Sequence, residues 1–309
     1  MKTTTLGKTG AKVSALGVGL AEIGNELSLS EGDAKQAGDV LNRALDSGLN
    51  FLDTAECYGV SEELIGRTVT GRRKEFFLAT KGGHLGGQSG TAWTPETVAG
   101  NVNNSLQRMK VDHVDLVQLH SCGVDVLEKG DVIRVLQDAR KAGKTRFIGY
   151  SGDNESAHWA VDSGLFDTLQ TSFNIADQGA RVSGLLKKAE ARGMGIIIKR
   201  PIAGGTWGAV RRGKTEQRVR GYDDTYYTRN KEMADMGPVP GEPADPVAFA
   251  LGFLFSHPEP DVAIVGTKNP KHMESNLKLA DAGLKLDNRA VEEMHRRFEK
   301  LGKEWRTQS

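Results

Sequence analysis

The stretch Asn50-Phe51-Leu52-Asp53-Thr54-Ala55-Glu56-Cys57-Tyr58-Gly59 opens as a short apolar run of strand character and breaks at Asp53 into a polar turn. A carboxylate and a phenol, five residues apart, are thereby delivered to the end of a buried element. A buried carboxylate is costly unless something pairs with it, so the chain should supply a cation nearby. Two further runs repeat the pattern. Phe76-Phe77-Leu78-Ala79-Thr80 ends directly in Lys81, and Val114-Asp115-Leu116-Val117-Gln118-Leu119 ends directly in His120. Parallel-strand barrels keep their chemistry at the carboxyl ends of strands, and three apolar strands each ending in an ionisable group fit that plan.

Outward from these three strands the chain alternates. Residues 3–20 read as two short strands around the turn Gly7-Lys8-Thr9-Gly10, the second run ending in the glycine-punctuated Leu16-Gly17-Val18-Gly19. Gly17 and Gly19 do not continue into GxGxxG, so no dinucleotide-binding turn of that kind is indicated. Apolar residues at Ala37, Val40, Leu41, Ala44 and Leu45 have helical spacing, giving a helix over 33–47 closed by Gly48. Ser61 reads as a polar cap leading the next helix. Thr94-Pro95-Glu96 opens another, with proline at a permitted first-turn position.

Helices over 125–142, 154–163, 181–192, 246–255, 270–281 and 287–301 alternate with strands at 146–150, 168–171, 195–198 and 262–265. Counted from 14–19, eight strands are each followed by a helical segment or a loop containing one. The expectation is a (β/α)8 TIM barrel in a single domain over 1–309, with an amino-terminal β-hairpin. Residues 204–246 read as a long loop after strand 7, of the kind that forms a binding lid or is disordered. An open doubly wound sheet is the competing architecture.

The 309 residues carry 41 basic and 40 acidic side chains, a net charge of +1. Such a balance gives no long-range attraction for nucleic acid. Two cysteines outside a CxxC arrangement argue against a disulfide framework and for a reducing, cytoplasmic location. Met1 to Gly10 has no apolar signal core, and no apolar run approaches the ~20 residues of a membrane span. His84, His158 and His257 lack metal-ligand spacing, so no metal is expected.

Asp53, Tyr58, Lys81 and His120 could meet at one barrel mouth. A free phenol has a pKa of about 10. A nearby ammonium favours the phenolate and lowers that value, while a carboxylate beside the lysine holds it charged. A histidine on the adjoining strand can polarise a carbonyl oxygen. The set donates a proton to an oxygen gaining negative charge, which suits carbonyl reduction by hydride transfer.

The segments around Asp53–Gly59, Leu78–Lys81 and Asp115–His120, together with Ser61-Glu62-Glu63-Leu64-Ile65-Gly66, resemble the aldo-keto reductase family in order and spacing. The resemblance covers nearly the whole chain. It implies a barrel that binds NADPH, or NADH, in extended form and reduces a small carbonyl substrate. Tyr58 would be the general acid, tuned by Lys81 and Asp53, with His120 positioning the carbonyl. Ser151 and Gln170 match the family's carboxamide-binding serine and glutamine, and Gly152 stands where an asparagine is usual. Lys199 falls where an aromatic residue usually stacks on the nicotinamide, within the matching segment Lys199-Arg200-Pro201-Ile202 and before Gly204.

At the adenosine end, Gly266, Thr267, Lys268, His272 and Asn276 match, with Thr267 and Lys268 as candidate 2′-phosphate ligands. His272 replaces a common arginine and Ser275 a usual glutamate. Trp93 and Trp207 are candidate substrate-pocket walls, as are Tyr222, Tyr226 and Tyr227. The basic run 211–220 is a candidate pyrophosphate clasp. Taken singly, Asp53–Lys81 could be a structural ion pair and His120 a satisfied core histidine, but such readings do not predict four residues in one family order. Rival functions are a non-catalytic cofactor sensor resembling potassium-channel β-subunits and a Schiff-base lyase using Lys81.

Overall fold

Side chains of a strand point alternately to its two faces, so each strand here carries two patterns at once. The helix-facing side of the barrel strands is mainly apolar: Val18, Leu52, Leu78, Val117, Leu119, Ile148, Leu169, Ile196, Ile198 and Val265 pack beneath the helices. The other face changes character along the strand. Phe51, Phe77, Ala79, Leu116, Ile197, Val262 and Ile264 form a separate apolar layer inside the barrel, joined by Leu6 and Val13. Two or four residues further along, the same inward faces carry Asp53, Lys81, Gln118, Ser151, Gln170 and Lys199.

The computed structural model describes residues 1–87, 89–213, 221–283 and 285–308. β1 (Thr3–Thr5) and β2 (Lys12–Ser14) pair antiparallel, as expected of the amino-terminal hairpin. The hairpin plugs the amino-terminal end of the barrel: Leu6 is fully buried, and the Gly7 N–H donates to Asp261 Oδ2 at 3.2 Å. The chain then runs β3 (Leu16–Gly19), α1 (Ala21–Glu26), α2 (Glu31–Asp46), β4 (Phe51–Asp53), α3 (Ser61–Thr68), β5 (Phe77–Gly82), α4 (Pro95–Met109) and β6 (Val114–His120). Next come α5 (Val124–Lys129), α6 (Asp131–Lys141), β7 (Thr145–Ser151), α7 (Asn154–Ser163), β8 (Thr168–Ser172), α8 (Gly179–Val182), α9 (Leu185–Ala191) and β9 (Gly195–Lys199). The remainder is α10 (Thr206–Arg211), α11 (Gly221–Ala234), α12 (Pro246–Phe255), β10 (Val262–Gly266), α13 (Pro270–Asp281) and α14 (Asn288–Leu301). Strands β3 to β10 close into an eight-stranded barrel, β10 pairing in parallel with both β3 and β9. This is the (β/α)8 architecture expected, not the open sheet.

Helix starts follow local chemistry. The side chains of Thr94, Asp245 and Asn269 accept backbone N–H bonds in the first turns of α4, α12 and α13, each with proline next in sequence. Ser61 departs from its reading as a cap. The cap of α3 is Val60, without a side-chain bond, and the Ser61 hydroxyl instead meets Thr54 Oγ1 at 2.7 Å inside the fold. Two helices read as continuous are broken by glycines in left-handed conformation: Gly130, φ 72°, divides 125–142, and Gly184, φ 76°, divides 181–192.

The segment 204–246 is not a structureless loop, because α10 and α11 lie within it. Trp207 and Tyr226 anchor it in the core, Trp207 against Phe249 at 5.2 Å between centroids. Its inward face includes Arg229 and Asn230, the latter donating to Thr206 Oγ1 at 2.9 Å, so no apolar period betrays the helix. Most of the basic run 211–220 lies outside the described residues, as does the side chain of Tyr222. Among the described residues no helix is long and apolar enough to cross a membrane.

Candidate active site

The barrel register sets the height of each functional group. Lys81 is paired in register with Gln118, and His120, Ser151 and Gln170 lie on one rung across β6, β7 and β8. With Asp53 at the end of β4, these residues form a polar layer directly above the apolar one.

Its centre is an ion pair. Lys81 Nζ lies 2.6 Å from Asp53 Oδ2 and donates to the Thr54 carbonyl at 2.9 Å. The two side chains are 0% and 2% exposed. Asp53 Oδ1 accepts from Gln170 Nε2 at 2.8 Å and Gln118 Nε2 at 3.4 Å, while Ser151 Oγ donates to Gln170 Oε1 at 2.8 Å. An ionised carboxylate only accepts, which fixes both the Gln170 amide and the direction of this chain of bonds. The cation demanded by Asp53 is therefore present. Burial alone would lower the Lys81 pKa, but Asp53 reverses that and raises it, keeping the amine charged.

Tyr58 sits on the turn between β4 and α3. Its carbonyl is approached so closely by α1 that a Cβ at Gly24 would fall 2.0 Å from it, so only glycine fits there. The Lys81 ammonium lies over the phenol ring, 4.8 Å from its centroid, and its charge acts on the hydroxyl. The expected acidification is outweighed, however. Loss of water and the charge of Asp53 push the Tyr58 pKa above its ordinary value, with Lys81 opposing them. Tyr58 is thus held as the neutral phenol, the proton-loaded form.

His120 stands edge-on to Tyr58 at 5.6 Å and to His84 at 4.6 Å between centroids. Burial, then the charges of Lys81, His84, Lys199 and Arg200, holds its pKa well below the ordinary imidazole value, so the ring is neutral. Its backbone carbonyl accepts from Trp93 Nε1 at 3.0 Å. Cys57 Sγ lies 3.5 Å from His120 Nδ1, and burial pushes the thiol up to about 11. A thiol that keeps its proton can donate to Nδ1, leaving the ring proton on Nε2.

These groups open onto a cavity of about 1000 Å³. Of the residues singled out from sequence, Asp53, Tyr58, His120, Gln170, Lys199, Arg200, Pro201, Ile202, Gly204, Gly266, Thr267, His272 and Asn276 line it, with Trp93 and Trp207. Lys81, Ser151 and Lys268 do not: Lys81 and Ser151 are buried within the polar layer, and Lys268 turns away to Glu26. Lys199 is held by Asp153 Oδ2 at 2.9 Å, and burial lowers its pKa although that carboxylate opposes the shift. Gly152 is required by its neighbour, since a Cβ there would fall 2.5 Å from the Tyr150 hydroxyl. Tyr226 is fully buried away from the cavity.

Glu22, His84, Gln118 and Cys57 were not found from sequence as parts of the site. Gln118 was accessible to period-two reasoning, being two residues before His120; Glu22 carries no sequence signal of its own. Among the described residues no group of three or more His, Cys, Asp or Glu could hold a metal.

Comparison with known proteins agrees with this architecture. The model of the Aldo/keto reductase family matches residues 15–296. L-galactose dehydrogenase of Arabidopsis thaliana is 30% identical over 212 residues, 65% of each chain, so this chain covers slightly under two thirds of that relative. The aldo-keto reductase yakc [NADP(+)] of Schizosaccharomyces pombe is 27% identical over 88% of this chain and 87% of its own. The holo form of an aldo-keto reductase from Bacillus halodurans superposes with a TM-score of 0.76 over 96% of both chains; at 21% identity it supports the fold alone. With 282 consecutive positions, residues 15–296, under the family model and the barrel closed as that family requires, the chain belongs to the aldo/keto reductase family of NAD(P)H-dependent oxidoreductases.

Proposed function

We propose that this protein reduces an aldehyde or ketone to the alcohol, with Tyr58 as general acid. The observation carrying the proposal is the Lys81 ammonium, held by Asp53 at 2.6 Å and lying 4.8 Å from the ring centroid of a phenol that faces the cavity beside a neutral imidazole.

The residues present fit a nicotinamide dinucleotide. A cavity of about 1000 Å³ exceeds the need of a small carbonyl compound. It also reaches the amino-terminal end of α13, the positive end of that helix's dipole, which suits phosphate oxygens. Once bound, the reduced nicotinamide supplies the hydride.

The chain's own residues do the rest. His120 Nε2–H donates to the substrate carbonyl oxygen, polarising it and setting its direction. As the carbonyl carbon gains the hydride, the oxygen takes the Tyr58 proton. The phenolate left behind is stabilised by Lys81, whose charge Asp53 maintains, and solvent returns the proton. The reverse alcohol oxidation uses the same path with Tyr58 starting as phenolate. Gln118 and Gln170 hold Asp53 in the orientation that keeps Lys81 under the phenol.

The test follows consumption of NADH and NADPH with a panel of activated aldehydes. Tyr58→Phe should lower turnover by at least about 100-fold while leaving cofactor binding intact, as expected for loss of a positioned acid. Cofactor binding by wild type without turnover of any carbonyl would reject the reductase in favour of a cofactor sensor.

A further inference from the structure

The cavity runs from Tyr58 and His120 to the start of α13, where Thr267, His272, Ser275 and Asn276 line it. On the reductase reading, on which this inference rests, a nicotinamide beside Tyr58 leaves the adenosine ribose for that far end. NADPH differs from NADH by one phosphate on that ribose, a group of nearly two negative charges at neutral pH. The charge of the far wall therefore bears directly on which is bound.

Lys268 and Lys271 are the ammoniums nearest this wall in sequence; neither lines the cavity, and Lys268 is spent elsewhere. Its Nζ lies 2.8 Å from Glu26 Oε2 on α1 and does not line the cavity. Its backbone N–H donates to Glu22 Oε1 at 3.3 Å, and its carbonyl accepts from Gln36 Nε2 at 2.8 Å, so the whole residue is tied to α1 and α2. Glu22, in contrast, does line the cavity. The cavity's own cations, Lys199, Arg200 and Arg212, all belong to the end of β9 and the segment after it. Among the described residues, the wall built by β3, α1, β10 and α13 presents a carboxylate and no ammonium or guanidinium.

We infer that this chain selects NADH over NADPH, with Glu22 and Glu26 as the specificity-determining residues. The Glu22 carboxylate is an acceptor for ribose hydroxyls, the role an acidic residue plays toward the 2′-hydroxyl in other dinucleotide sites. Toward a 2′-phosphate it is a like charge. Glu26 acts indirectly, by neutralising the lysine that would otherwise answer that phosphate. Lys268 and Glu26 are 38% and 37% exposed, so the discrimination is partly screened by salt.

The experiment titrates the full-length protein with NADH and NADPH separately, without substrate, following binding by calorimetry. Wild type should bind NADH at least about tenfold more tightly at low salt, the gap narrowing as salt is added. The double variant Glu22→Gln/Glu26→Gln should move the affinity ratio toward NADPH by about tenfold or more, with retained NADH binding proving that it folds. Equal or tighter NADPH binding by wild type, or an unmoved ratio in the variant, overturns the inference and leaves the reductase reading standing. Failure of wild type to bind either nucleotide overturns both.

Discussion

Exchanging the two partners of the buried ion pair, singly and together, separates what Asp53 and Lys81 do for the fold from what they do for Tyr58. Their side chains are 0% and 2% exposed at 2.6 Å, so removing one partner strands the other as a charge without water. Such losses run at about 3–5 kcal/mol. Lys81→Met leaves Asp53 with amide donors from Gln170 at 2.8 Å and Gln118 at 3.4 Å, which places the cost near about 3 kcal/mol. Asp53→Asn leaves the Lys81 ammonium with the Thr54 carbonyl at 2.9 Å, so its cost lies toward about 5 kcal/mol. The double variant buries no net charge, and replacing a buried pair by neutral groups is often close to neutral. The cycle should therefore show a coupling of at least about 3 kcal/mol, the double variant being more stable than the Asp53→Asn single. Equilibrium urea unfolding followed by circular dichroism measures it. The double variant, although folded, should have lost turnover because Tyr58 no longer has its ammonium. Additivity of the two single losses within about 0.5 kcal/mol would refute the claim that the pair is one buried unit.

Two further outcomes follow from the site. Because the Tyr58 pKa is raised by burial and the His120 pKa is held well below the imidazole value, the acid form of one and the neutral form of the other coexist from about pH 6 to 9. Reduction should be flat over that range and decline only on the alkaline side, where Tyr58 gives up its proton, whereas oxidation, which needs the phenolate, should climb with pH. A reduction limb near pH 7 contradicts both assignments. Cys57→Val removes the donor 3.5 Å from His120 Nδ1 and should lower kcat/KM about three- to tenfold, the worth of one weak hydrogen bond. Cys57→Ser should restore most of it, and nitrogen NMR should show the ring proton leaving Nε2 in the valine variant only. Equal behaviour of the two variants, or an unchanged tautomer, removes Cys57 from the mechanism.

Much of this was legible in the chain itself. Phe51–Asp53, Phe77–Lys81 and Leu116–His120 each state, through strand periodicity, that one face passes from apolar to polar at the carboxyl end. Eight such units leave few architectures besides a barrel. The capping residue Thr94 announced its helix because a cap is a contact between near neighbours. The helices at 206–211 and 221–234 were hidden because their buried sides mix Trp207 and Tyr226 with Arg229 and Asn230, whose partners come from distant segments.

What the sequence determined alone was therefore the local grammar: which residues alternate, where elements begin, and which ionisable groups arrive at strand ends. The tertiary structure decided how those groups are charged and whom they face. A pKa reflects every atom within several ångströms, so the neutral phenol at Tyr58 could not be foreseen from Lys81 alone. In the same way Lys268, a phosphate ligand by position, is claimed by Glu26, 242 residues earlier in the chain, because closure of the barrel sets β10 against β3 and brings α1 beside it.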